Sequence, residues 1–206
     1  MKKEDALNQF LEIEARAASS KFVFASMSCL DQEHKKATTA QFGDAMRHIL
    51  REAPDLYFLQ ITLLRSKVLS GQPFYRLEAY GADLYLSEPL LQMEPPFDWL
   101  YDTYAGFTAE LEEESRKYIF QIGKPELNRI KLAELYNCQR IVKHLFLETI
   151  AYLIRSEEYQ ALDADRNIQF HLSEYRGAYE ILMTKNKNME RMGGWLCELL
   201  QADGSR

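Results

Sequence analysis

Residues 125–155 read PELNRIKLAELYNCQRIVKHLFLETIAYLIR, and this stretch decides the fold. Set at 100° per residue on a helix, Asn137, Arg140, His144, Glu148 and Arg155 fall within about 80° of one another. Leu135, Tyr136, Ile141, Val142, Leu145, Phe146, Leu147, Ile150, Leu153 and Ile154 fill most of the remaining circumference. Pro125 sits where a first helical turn tolerates proline, and Gly123 can end whatever precedes it. At 1.5 Å per residue the helix would run roughly 46 Å. A helix this apolar is expected to be nearly surrounded by protein. Just upstream, Leu100, Tyr104, Phe107, Leu111, Tyr118 and Ile122 recur at three- and four-residue steps behind a capping Asp98. The two arms, 98–122 and 125–155, read as a long helical hairpin.

Outward from it, Leu7, Leu11, Ala15, Ala18, Phe22, Ala25 and Cys29 predict a long first helix over 5–30. Thr38 and Gln41 form a possible capping box for a helix carrying Phe42, Met46, Ile49 and Leu50. Asp55 is expected to cap another helix, carrying Leu56, Leu59, Leu63, Leu64 and Val68 and ending at Ser70-Gly71. Alternation in 75–80, a turn at 81–83 and the segment 84–86 predict one small β-hairpin over 75–87. Residues 87–97, with Pro89, Pro95 and Pro96, form a connector. A helix is expected over 165–185, and a last amphipathic segment holds Met189, Met192, Trp195, Leu196, Leu199 and Leu200 around Gly193-Gly194. The expected fold is mainly α: an irregular multi-helix bundle in a single domain, 1–206, with one β-hairpin.

The 206 residues carry a net charge of −6, with 47% hydrophobic and 27% charged positions, as in ordinary globular proteins. The acidic balance and the short basic clusters (Lys2-Lys3, Lys35-Lys36, Arg116-Lys117, Lys185 to Lys187) point away from nucleic acid and from anionic membranes. Cys29, Cys138 and Cys197 are odd in number and lack metal-ribbon spacing, which suits a reducing compartment. The acidic start is unlike a signal peptide, and the greasiest window is too short to span a bilayer. A cytoplasmic location is the expectation.

The candidate chemistry is sparse. His144 and Glu148, four residues apart with Arg140 beside them, could hold a ligand inside the bundle, or could be the one face of the helix that meets water. His171 and Glu174 offer a second imidazole and carboxylate on one expected helical face. Together the pairs sketch a ligand site of Arg140, His144, Glu148, His171 and Glu174. Di-iron bundles require two Glu-x-x-His motifs, which the chain lacks, so no metal or cofactor is expected. His34 and His48 read as solvent-facing. No phosphate loop, dinucleotide fingerprint or nucleophile elbow occurs. The aromatic run between Phe74 and Phe107 suits an interaction surface, with Tyr75, Tyr80, Tyr85 and Trp99 combining large area and polar tips. On the sequence alone, the chain reads as a non-enzymatic interaction or regulatory module that meets a protein partner or a second copy of itself; the alternative is a helical-bundle small-molecule or metal-binding protein, catalytic or not, built on His144, Glu148 and His171.

Overall fold

The structure, a computed structural model, describes residues 3–31, 35–118 and 121–186. Five strands form one mixed sheet: β1 (Phe58–Leu63), β2 (Tyr75–Tyr80), β3 (Leu91–Met93), β4 (Ile168–Glu174) and β5 (Tyr179–Lys185). Their order is β3-β2-β1-β4-β5, with β1 and β4 parallel and every other pair antiparallel. The fold is therefore α/β, which corrects the expectation of an all-α bundle with a single β-hairpin.

The helices are α1 (Lys3–Phe10), α2 (Arg16–Ser28), α3 (Lys35–Glu52), α4 (Arg65–Val68), α5 (Asp98–Ser115), α6 (Lys124–Leu153) and α7 (Glu157–Ala161). A π-turn over Leu11–Ala15 joins α1 to α2. The helical hairpin is present, with a short 3-10 turn after α5. Phe97 precedes α5 with no side-chain cap, so Asp98 lies in the first turn instead. At the start of α6 the Glu126 carboxylate accepts the Gly123 N–H at 3.0 Å and pairs with Lys3 at 2.7 Å. Those partners, Lys3 first, hold its carboxyl down at about 2.

The core lies between these helices and one sheet face. That face presents Leu59, Ile61 and Leu63 from β1, Tyr75, Leu77 and Ala79 from β2, and Phe170 and Leu172 from β4, all buried. Phe146 of α6 and Tyr159 of α7 meet Phe170 at 6.4 and 6.1 Å between ring centroids, and Phe97 meets Tyr75 at 5.6 Å. Burying each such side chain contributes about 1.5–3 kcal/mol.

Three segments depart from their expected state for identifiable reasons. In 55–68 the leucine spacing fits a helix, but Leu59, Ile61 and Leu63 also alternate with Gln60 and Thr62; they form β1, the central strand, which is buried on both faces. In 165–185 Ile168, Phe170 and Leu172 alternate on one face, and the chain reverses at residues 175–177 into β5. Arg176 takes a left-handed φ of 51° in that reversal. In 84–86 the chain forms a 3-10 turn, and β2 pairs instead with Leu91–Met93. The expected last segment, with Trp195, Leu196 and Cys197, and also His34, lie outside the described residues.

Candidate functional site

Strand pairing sets the chemistry of the other sheet face. One transverse row runs Gln92, Glu78, Gln60, His171, Ile181; the row beside it runs Arg76, Thr62, Ser173, Tyr179. Gln60, Thr62, Glu78, His171 and Ser173 are each at most 1% exposed, so this polar face is dry. Burying such groups is tolerable only if they bond to one another, and most do. Thr62 Oγ1 donates to Glu78 Oε2 at 2.6 Å. Ser173 Oγ and Tyr85 OH both donate to Gln60 Oε1, at 2.9 and 2.8 Å. Arg76 donates to Gln92 Oε1 at 3.1 Å and to Glu78 Oε1 at 3.4 Å.

Two atoms of the central row find no partner among the described residues: Gln60 Nε2 and His171 Nδ1. Their residues are direct neighbours in the parallel β1–β4 pair. His171 Nε2 is 2.9 Å from Gln169 Oε1, an acceptor, so Nε2 carries the proton and Nδ1 presents a lone pair. Its ring stacks on Tyr179 with centroids 4.4 Å apart and an interplanar angle of 12°. Burial lowers its pKa to about 4, so the imidazole is neutral at ordinary pH.

A second constellation lies on the outer side of α6. Arg129, Ala133, Tyr136, Arg140 and Leu147 line up along the helix within about 60° of one another and are all exposed. The Arg140 guanidinium sits 5.9 Å from the Tyr136 ring. Neither Arg129 nor Arg140 meets a carboxylate among the described residues. On one flank, a groove of about 480 Å³ between α2 and α6 is lined by Val23, Met27, Asn137, Ile141 and His144. On the other flank, a groove of about 350 Å³ runs between α6 and the β4–β5 turn, past Lys143, Leu172 and Tyr179. Apolar groups stand open along the first groove: Tyr136 is 68% exposed and Leu147 51%.

The expected ligand set does not converge. Arg140, His144 and Glu148 lie on the outer side of α6, with His144 3.9 Å from Glu148 and Lys35 also paired to that carboxylate. α6 packs on the apolar sheet face, whereas His171 lies on the polar one. Glu174 points the other way from His171, because residues three apart on a strand face opposite sides, and it pairs with Arg65 at 2.6 Å. Of the expected interaction surface, Tyr75 is buried beneath Phe97, Tyr80 is buried on the polar face against Tyr85 at 5.5 Å, and Trp99 is partly buried beside the core. The alternation of Gln60 and Thr62 with Leu59, Ile61 and Leu63 is the sequence signal for a polar side of β1; that His171 and Ser173 share this side follows from the parallel register.

Burial pushes the Cys138 thiol well up, which keeps it unreactive. Among the described residues no three His, Cys, Asp or Glu side chains gather as metal ligands would, and no helix is long and apolar enough to cross a membrane. Compared with known proteins, the chain matches no family model, no curated protein and no solved structure.

Proposed function

We propose that the chain acts by binding, as a docking module that holds an acidic, apolar-studded segment of another protein along the outer side of α6. One observation carries this reading: in a chain of net charge −6, Arg129 and Arg140 flank the open Tyr136 ring with no carboxylate partner among the described residues. Guanidinium groups beside exposed aromatic and aliphatic side chains are the composition of binding hot spots. The groove between α2 and α6 adds Val23, Met27 and Ile141, the setting in which an amphipathic helix lays its apolar face. Charge complementarity selects the occupant. A second copy docked through the same surface would bring Arg140 and Lys143 towards their own counterparts, whereas a segment with carboxylates beside its apolar anchors meets opposite charge.

The test places a photocrosslinking phenylalanine analogue at Tyr136 and, as a control, at Tyr152, which is 53% exposed on another side of α6. The expected adduct forms from Tyr136 only, maps to an acidic segment, disappears with Arg140→Glu and returns when the partner's facing carboxylate is reversed in charge. Adducts at twice the mass of the chain, or adducts indifferent to Arg140→Glu, refute the reading.

A further inference from the structure

A recess of about 210 Å³ opens between α5 and the turn that joins α4 to β2. Its deep wall is Val68, Phe74 and Tyr104, each at most 4% exposed, with Tyr101 beside them. The rings pack edge-on, Phe74 lying 5.0 Å from Tyr101 and 5.1 Å from Tyr104 between centroids. The rim is Leu69, Gly71 and Gln72 on the turn and Ala105 on α5, all exposed. Gly71 makes the reversal with a left-handed φ of 66°, and a Cβ added there would meet nothing within 4 Å, so the tip of the turn stands clear of α5. The recess is separate from the α6 ridge: Lys131, the α6 residue that lines it, stands about 140° round the helix from Tyr136.

The polar groups of the recess are already engaged. Tyr104 OH donates to Lys131 O at 2.6 Å, the Thr108 hydroxyl donates to Ala105 O at 2.9 Å, and Tyr101 OH accepts the Tyr75 N–H at 3.3 Å. At the rim Lys131 Nζ pairs with Glu112 Oε1 at 2.6 Å, so cation and carboxylate cancel there. A charged guest would meet one of these two as a like charge and would draw the other away from its partner. A guest without charge leaves every one of these bonds in place and covers the aromatic wall. Volume sets its size, since a cavity of about 150 Å³ lined by apolar side chains takes up a single benzene ring. We propose that this recess binds a small uncharged molecule built on one hydrocarbon ring, seated against Phe74, Tyr101 and Tyr104 beside the Glu112–Lys131 pair.

The experiment titrates the full chain, labelled with ¹³C in its valine and leucine methyl groups, with toluene, benzoate and benzylammonium. Toluene is expected to shift the Val68 and Leu69 methyl resonances saturably, and each ion to bind at least about tenfold more weakly. Ala105→Leu places a larger side chain at the mouth, at an exposed helical position that leucine suits, and is expected to weaken toluene by about tenfold or more. Ala109→Leu makes the same change at an exposed position of α5 outside the recess and is expected to leave the toluene affinity within about twofold. Absence of a saturable toluene shift overturns the proposal. Benzoate or benzylammonium binding as tightly as toluene also overturns it, because recognition would then belong to the rim charges. Equal toluene affinity in the two variants does the same.

Discussion

Acid should destabilise this protein through one buried imidazole. The His171 pKa falls from 6.5 to about 4 on folding, because burial penalises the charged ring. The unfolded chain therefore takes up a proton from that residue as pH drops through 6.5, while the folded chain resists until about 4. The stability that the neutral ring confers is fully present above 6.5 and is lost between 6.5 and 4, after which the slope vanishes. At about 1.4 kcal/mol per pKa unit the loss amounts to about 3 kcal/mol, against a total of about 5–15 for a domain of this kind. The matched variant is His171→Phe, which keeps a flat ring between Phe58 and Tyr179 and cannot titrate. Urea unfolding at several pH values should show the parent losing about 3 kcal/mol more than the variant across this window. The variant's stability at neutral pH will differ, since it lacks the bond to Gln169, so the slope is the readout. Glu126 contributes a separate loss below 4.5, with its carboxyl held at about 2, and that loss is common to both proteins. Parallel stability curves, or an imidazole that titrates near 6.5 by NMR, would refute the reasoning.

Other perturbations test the architecture. Phe146→Leu and Phe170→Leu should each destabilise by about 1–2 kcal/mol and couple by about 0.5–1.5 in a double-mutant cycle, because α6 rests on β4 through these rings; additive costs would separate the helix from the sheet. Gly43→Val should cost about 1–3 kcal/mol in thermal unfolding, since even a Cβ there would come within 3.3 Å of Thr149 Cγ2 and overpack the α3–α6 contact. Arg140→Glu should leave the unfolding midpoint within about 0.5 kcal/mol of the parent, as befits an exposed and unpaired side chain, while abolishing partner docking. Circular dichroism of a peptide spanning 165–185 should show no stable helix, since in the protein this segment is a strand pair.

How far the fold was legible depends on what satisfied each segment's polar groups. The helical hairpin declared itself because Leu135, Ile141, Val142 and Leu145 must face a core while Arg129 and Arg140 face water, and because Gly123 and Pro125 mark its corner. The central strand did not. The spacing of Leu59 and Leu63 predicts a helix, yet Gln60 and Thr62 between them are dry, satisfied in part by Tyr85, Ser173 and Glu78 from distant parts of the chain. Spacing cannot show that, because it requires the parallel register that sets Gln60 beside His171. The same blindness made His171 and Glu174 a pair: three residues share a face on a helix and oppose each other on a strand. The exposed ridge of α6 was half visible. Arg140 and His144 stood out as polar, but Tyr136 and Leu147 were counted with the core, because exposure of an apolar residue is decided by which neighbours reach it.

The two candidate surfaces differ in what keeps them as they are, and that difference ranks the observations. An open Arg140 beside Tyr136 costs the folded chain little, since water solvates both, so the α6 ridge gains its meaning from composition alone. The polar face is different. Its side chains are dry, so Gln60, Thr62, Glu78 and Ser173 are kept in place by bonds to one another rather than by the solvent. Leucine or valine at Gln60 would leave Ser173 and Tyr85 without that acceptor, so the polar network ties β1 to β4 through particular side chains and not through burial alone.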